Sequence, residues 1–310
     1  MSTTKGEQGY LDMLAHIMRE GTDKKDRTNT GTREVFGNLL RFDMDEGFPV
    51  FTTKRVGWKT AFKEMLWMLS GSGNILPLLQ QGVHIWTEWP HAKYEKETGE
   101  RIDKKVFEER ILSDPVFADR WGDTGGAYGV QWRSWPTYIS DGNDEKGRIF
   151  RAGPGYDQIQ EVIDTLRTNP DSRRIRFTGW NAPRLGEMML PPCHAEYQFQ
   201  TNGNRLNLSL TIRSWDVFLG GPFNIANAAL LLHMMAMHTG FAPGEVAIFS
   251  VCTHIYSNHF DQVNEQMGRT PWTLPRLEIA PRKNFFDHRL EDFKLAGYNP
   301  QEAISAPVAV

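Results

Sequence analysis

Apolar positions recur at helical spacing over residues 8–20, where Leu11, Leu14, Ile17 and Met18 line one face ahead of Gly21. This pattern predicts an opening amphipathic helix. The same period returns over residues 58–69 and sets Glu64 among Phe62, Met65, Trp67 and Met68. A carboxylate in such a neighbourhood is expected to lose solvation and keep its proton to higher pH, which suits proton transfer. Over residues 222–239 apolar side chains cover nearly every side until Gly240, so this helix should run through the core. Alternation replaces the helical period at 174–178, 195–199 and 206–213, where Leu206, Leu208, Leu210 and Ile212 interleave with Asn207, Ser209, Thr211 and Arg213. A loop region over 141–155 leads into another helix over about 156–168. The fold class is α+β: a mainly antiparallel, twisted sheet with one face buried and a long buried helix.

With 310 residues, 40% hydrophobic content and a formal charge of -3, the chain can bury a large core but offers no broad basic surface. A single catalytic domain over 1–310 is expected, with the charge-dense segment 91–124 as a small surface insertion. Nucleic acid is an improbable partner, and a small phosphorylated ligand held by a few placed arginines fits better. The start Met1-Ser2-Thr3-Thr4-Lys5 lacks a signal-peptide core, and the longest apolar run is broken by Asn227 and His233, so a cytoplasmic protein without a membrane segment is expected. Neither cysteine has metal-ligand spacing around it, and no metal is expected.

Leu190-Pro191-Pro192-Cys193-His194 sets one of only two cysteines behind a rigid Pro-Pro step and before an alternating strand. A thiol so placed reads either as a nucleophile or as a small core residue. Arg213, twenty residues on, is the cation that could keep it ionised, and the pairing points to covalent catalysis on an anionic substrate. Asp26-Arg27-Thr28-Asn29-Thr30 and Thr53-Lys54-Arg55 are candidate anion grips. Gly125-Gly126-Ala127-Tyr128-Gly129 mixes glycine with an aromatic ring, as expected where backbone approaches a planar ligand. Cys252 reads as a packing residue.

Taken with Phe48-Pro49, Glu64-Met65-Leu66-Trp67, Ile85-Trp86, Gln131-Trp132-Arg133, Asp171-Ser172-Arg173-Arg174, Arg213-Ser214-Trp215-Asp216, Pro222-Phe223-Asn224-Ile225-Ala226, His254-Ile255-Tyr256-Ser257-Asn258-His259 and the tail Ala306-Pro307-Val308-Ala309-Val310, the chain closely resembles the thymidylate synthase family. The resemblance implies an obligate homodimer, its sheet packed against its twin, with arginines shared across the interface. It implies Cys193 as the nucleophile on C6 of dUMP, with Glu64 and Tyr128 managing protons. Arg27, Arg213 and Ser214, with Arg173 and Arg174 of the partner protomer, would bind the 5'-phosphate; His254 and Tyr256 would hold the 3'-hydroxyl, and Asn224 would read the uracil edge. The implied co-substrate is 5,10-methylenetetrahydrofolate, with Asp216 on the pterin and Lys54, Trp86 and the tail through Val310 enclosing it.

Two departures bear on the product. Ile212 stands where the family carries Gln, and Ser250-Val251-Cys252 where it carries a Gly-Gly-Asp or Gly-Asp run. Both changes point to the hydroxymethylase branch, in which water captures the methylene intermediate and 5-hydroxymethyl-dUMP and tetrahydrofolate leave. The alternative is thymidylate synthase, giving dTMP and dihydrofolate; a more remote one is an inactive nucleotide- or RNA-binding relative.

Overall fold

The expected opening helix is α1 (Gly6–Glu20), which buries Tyr10, Leu11, Leu14 and Ile17 along one face. The computed structural model describes residues 6–26, 29–145 and 147–308. After α1 come β1 (Thr22–Lys24), β2 (Thr32–Asp43), α2 (Trp58–Leu69) and the short α3 (Leu76–Leu79). The charged segment forms α4 (Glu88–Thr98), α5 (Lys104–Ser113) and α6 (Pro115–Trp121). Most of its charges face outward, Glu108 excepted, which is buried against His84 and Thr87, while Tyr94, Phe107, Phe117 and Trp121 bury their rings against one another with centroids 5.1–5.7 Å apart.

Beyond α7 (Gly129–Arg133), the region expected to be a loop contains a hairpin, β3 (Tyr138–Asp144) paired antiparallel with β4 (Gly147–Ala152). Every residue of β4 is exposed, so neither strand carries the buried alternation by which a strand is read in sequence. There follow α8 (Gln158–Thr168), β5 (Arg176–Thr178), β6 (His194–Asn202), β7 (Arg205–Asp216), α9 (Gly220–Thr239), β8 (Ala242–Tyr256) and α10 (Phe260–Met267). A small pair, β9 (Arg276–Ile279) and β10 (Phe293–Ala296), closes the fold.

The main sheet has the order β1-β2-β8-β7-β6-β5 and is antiparallel except for the central pair β7 and β8. On β8, Val246, Ile248 and Ser250 are buried, and Phe249 and Val251 between them are exposed. Helices therefore cover one face of the sheet, and the other is open at Leu39, Phe249 and Val251. The ladder pairs skip Gly37, Val251 and Arg213, and a register shift follows His194 on β6. Gly37 holds φ 67°, a left-handed value that glycine adopts without strain. Past this kink the alternation of β8 breaks, and Thr253, His254 and Ile255 are buried in succession.

Candidate active site

Cys193 immediately precedes β6 and is fixed from both sides. Its backbone N–H donates to the Tyr128 hydroxyl at 2.8 Å, and its carbonyl accepts from the Arg213 N–H at 2.9 Å. The Arg213 guanidinium grips the two residues before it, Nε donating to the Pro192 carbonyl at 2.9 Å and Nη2 to the Pro191 carbonyl at 2.8 Å. This arginine thus sets the backbone that presents the thiol, beyond any effect of its charge. The thiol is half-buried and neither cysteine forms a disulfide.

Tyr128 opens α7 with φ 45° and ψ -104°, a left-handed conformation that costs about 1–3 kcal/mol in a residue with a side chain. Gly129 makes that turn possible, because a Cβ there would lie 2.0 Å from the Met68 carbonyl oxygen of α2. Burial, and then the neighbouring Cys193, push the Tyr128 phenol well above its ordinary value, so it keeps its proton while accepting from the Cys193 N–H.

Glu64 sits on the inner face of α2. Trp86 Nε1 donates to one carboxylate oxygen at 2.8 Å and Asn227 Nδ2 to the other at 3.1 Å. Burial raises its pKa to about 7, and the two donors oppose that shift without cancelling it. Edge-to-face contact between Trp86 and Tyr128, centroids 5.7 Å apart, links this carboxyl to the cysteine's anchor. Asn227 was not among the expected site residues, although an amide interrupting an apolar helix three positions after Asn224 is a sequence signal for it.

The start of α9 carries Asn224, the residue expected to read the base. Asn224 Oδ1 accepts from Trp215 Nε1 at 3.0 Å, and the same amide hydrogen-bonds the His194 ring. His194 also pairs through Nδ1 with the Tyr197 hydroxyl at 2.9 Å, and burial lowers its pKa to about 4, leaving it neutral. Asp216 caps the approach to α9, Oδ1 accepting from the Phe218 N–H at 3.1 Å. Lys54 is buried, its Nζ donating to the Phe218 carbonyl at 2.5 Å, and burial lowers its pKa to about 7 against the pull of Asp216.

His254 and Tyr256 end β8 with rings 5.3 Å apart, and burial lowers the His254 pKa. Beside them the Cys252 thiol donates to Glu34 Oε2 at 3.3 Å and is bonded to the Ser214 side chain; burial, and then Glu34, push it up to about 11. That thiol therefore keeps its proton near neutral pH. The tail runs over the Lys54 loop, with the Gln301 N–H on the Thr52 carbonyl at 2.8 Å and the Pro307 carbonyl on His259 Nε2 at 2.7 Å.

Arg27 and Val310 lie outside the described residues. Arg173 and Arg174 are exposed just before β5, and the Phe199 N–H bonds to the Ile175 carbonyl. That register puts Arg174 opposite the far part of β6, about seven residues from Cys193, or roughly 20 Å at strand rise. Within one protomer these arginines and the thiol cannot share a small ligand.

The profile of the family described as Thymidylate synthase matches residues 8–310. The chain is 48% identical over 310 residues to the thymidylate synthase of Rhizorhabdus wittichii, covering 99% of this chain and 100% of that protein. It is 49% identical to that of Novosphingobium aromaticivorans (98% and 96% covered) and 46% identical to that of Zymomonas mobilis (98% and 99% covered). The chain belongs to the thymidylate synthase family. It is a one-carbon transferase acting on dUMP, with methylenetetrahydrofolate as co-substrate. Among the described residues no helix is long and apolar enough to cross a membrane, and no group of three or more His, Cys, Asp or Glu could hold a metal.

Proposed function

We propose that this enzyme is a thymidylate synthase, converting dUMP to dTMP with oxidation of the folate to dihydrofolate. The observation that carries the reading is the mounting of Cys193: a half-buried thiol whose backbone is clamped by Tyr128 and Arg213, beside a carboxyl that titrates near neutrality. Uracil C5 is a poor nucleophile until something adds at C6, and Cys193 is placed to add there. Asn224 donates to O4, where charge develops on that addition. Glu64, ionising near pH 7, takes and returns protons at the base, and Tyr128, which keeps its proton, holds the nucleophile's backbone. 5,10-Methylenetetrahydrofolate supplies the one-carbon unit and, for the methyl product, a hydride.

The residues around Glu64 and Asp216 fit that co-substrate. Trp86 and Trp89 lie with ring centroids 5.4 Å apart and planes inclined at 52°, Trp86 bonded to Glu64, and the Asp216 carboxylate lies at the start of α9. Arg213, Ser214, Arg27 and the partner's Arg173 and the partner's Arg174 bind the 5'-phosphate. The open sheet face, with Phe36 88% exposed, and the distance from Arg174 to Cys193 support the homodimer.

The expectation of a hydroxymethyl product gives way on two grounds. Relatives at 46–49% identity over nearly the whole chain are named thymidylate synthase. In addition, Ile212 is completely buried, the Cys252 thiol is bonded to Glu34 and the Ser250 hydroxyl to the Cys252 carbonyl and Thr253, so the polar groups at these departures already have partners within the protein. A drier pocket favours hydride over water at the methylene. The reading is tested by formation of dihydrofolate from dUMP and the folate, and the role of the thiol by tritium release from C5-labelled dUMP, comparing wild type with Cys193→Ser. Release by the wild type alone is expected; equal release by both, or none by either, would remove Cys193 from the chemistry.

A further inference from the structure

Trp215 is 1% exposed and spends its only polar atom on Asn224. An indole N–H can donate and never accept, so the Asn224 amide must turn its oxygen, and not its nitrogen, toward Trp215. His194, the other neighbour of that amide, imposes no such choice, because a neutral imidazole presents a donor or an acceptor according to its tautomer. Trp215 is therefore the group that sets the amide's orientation. We propose that Trp215 is a specificity-determining positioning residue: its indole N–H locks the Asn224 amide in the orientation that reads uracil and rejects cytosine.

The argument rests on the assignment of Asn224 to the pyrimidine edge. With Oδ1 toward Trp215, the amide presents its N–H donor to O4 of uracil. Oxygen carries two lone pairs, so the one not used by Trp215 remains for N3–H. Cytosine inverts both demands, with a donor at N4 and an acceptor at N3. Reading it requires the amide to rotate, and rotation would set an NH2 group against the buried indole N–H, a donor facing a donor with no water to relieve it. The selectivity of Asn224 thus depends on a residue that touches no part of the nucleotide.

Trp215→Phe keeps the aromatic bulk and removes the donor. Dissociation constants for dUMP and dCMP are measured by calorimetry on the full-length dimeric enzyme, for wild type, W215F and V217A, the last a truncation of a fully buried neighbour in the same segment. The expected result is a dCMP-to-dUMP ratio that falls on the order of tenfold or more in W215F and is unchanged in V217A. An unchanged ratio in W215F, with wild type still turning over dUMP, overturns the proposal while leaving the proposed function standing; a wild type that does not turn over dUMP overturns that function instead. If W215F does not fold, hydrogen exchange of the Trp215 indole N–H in the wild type decides. Protection with and without dUMP supports the lock, and rapid exchange in either state overturns it.

Discussion

Replacing Glu64 with Gln should flatten the acid-to-neutral stability profile. The folded carboxyl titrates at about 7 against an ordinary 4.5, chiefly through burial. Between those values the folded protein binds a proton that the unfolded chain has released, so stability falls as pH rises across the window, and the loss is complete above the folded value. At about 1.4 kcal/mol per pKa unit, the interval amounts to roughly 3 kcal/mol. Gln cannot offer oxygen to both Trp86 Nε1 and Asn227 Nδ2, so E64Q also leaves one donor facing an NH2 group, at a cost of about 1–3 kcal/mol. That cost does not vary with pH, and the other titrating groups cancel in the difference between the two proteins. The assay is urea unfolding of wild type and E64Q at fixed protein concentration from pH 4.5 to 8. The wild-type curve should decline relative to the variant by roughly 3 kcal/mol. Parallel curves would refute the buried, proton-holding Glu64 and with it the role given to that carboxyl.

Other expectations follow from the same geometry. Arg213→Lys cannot span the Pro191 and Pro192 carbonyls, so kcat should fall about a hundredfold through misplacement of the thiol, more than phosphate binding alone would cost; equal losses in kcat for R213K and in affinity for dUMP would contradict this. Tyr128→Phe removes the hydroxyl that accepts from the Cys193 N–H and should cost about 1–3 kcal/mol in stability, read from the urea midpoint, with kcat reduced more than KM is raised. Cys193→Ser and Arg174→Glu chains should each be inactive alone, and unfolding and refolding them together should restore about a quarter of wild-type activity through hybrid dimers. No recovery would place the arginines outside the partner's site.

The opening helix and α2 were legible because one buried face sets their periodicity, and α9 because its apolar run is too long for a strand and stops at a glycine. Residues 58–69 and the apolar run ending at Gly240 appear as α2 and α9, the latter beginning two residues earlier at Gly220. The longest strand, β8, was not marked, and the kink explains why. Its buried positions run Val246, Ile248, Ser250 and then Thr253, His254 and Ile255 in succession, so no single alternation spans it. The expected strand at 174–178 begins instead at Arg176, because the preceding arginines are exposed turn residues. Among site residues, Cys193 and Arg213 could be paired from sequence, but the expected effect was of charge alone. The guanidinium's hold on two proline carbonyls depends on the register of β6 against β7, which side-chain spacing does not encode. Trp215 and Asn227 were hidden for a related reason: each is a buried residue whose one hydrogen bond reaches another element.

The most direct test of the central claim is the stoichiometry of dihydrofolate to nucleotide product, followed in one reaction of dUMP with 5,10-methylenetetrahydrofolate and read by absorbance and mass spectrometry together. One dihydrofolate for each nucleotide heavier by CH2 is the predicted result. A nucleotide heavier by CH2O with no dihydrofolate formed would show that water reaches the methylene, and would contradict the proposed synthase activity.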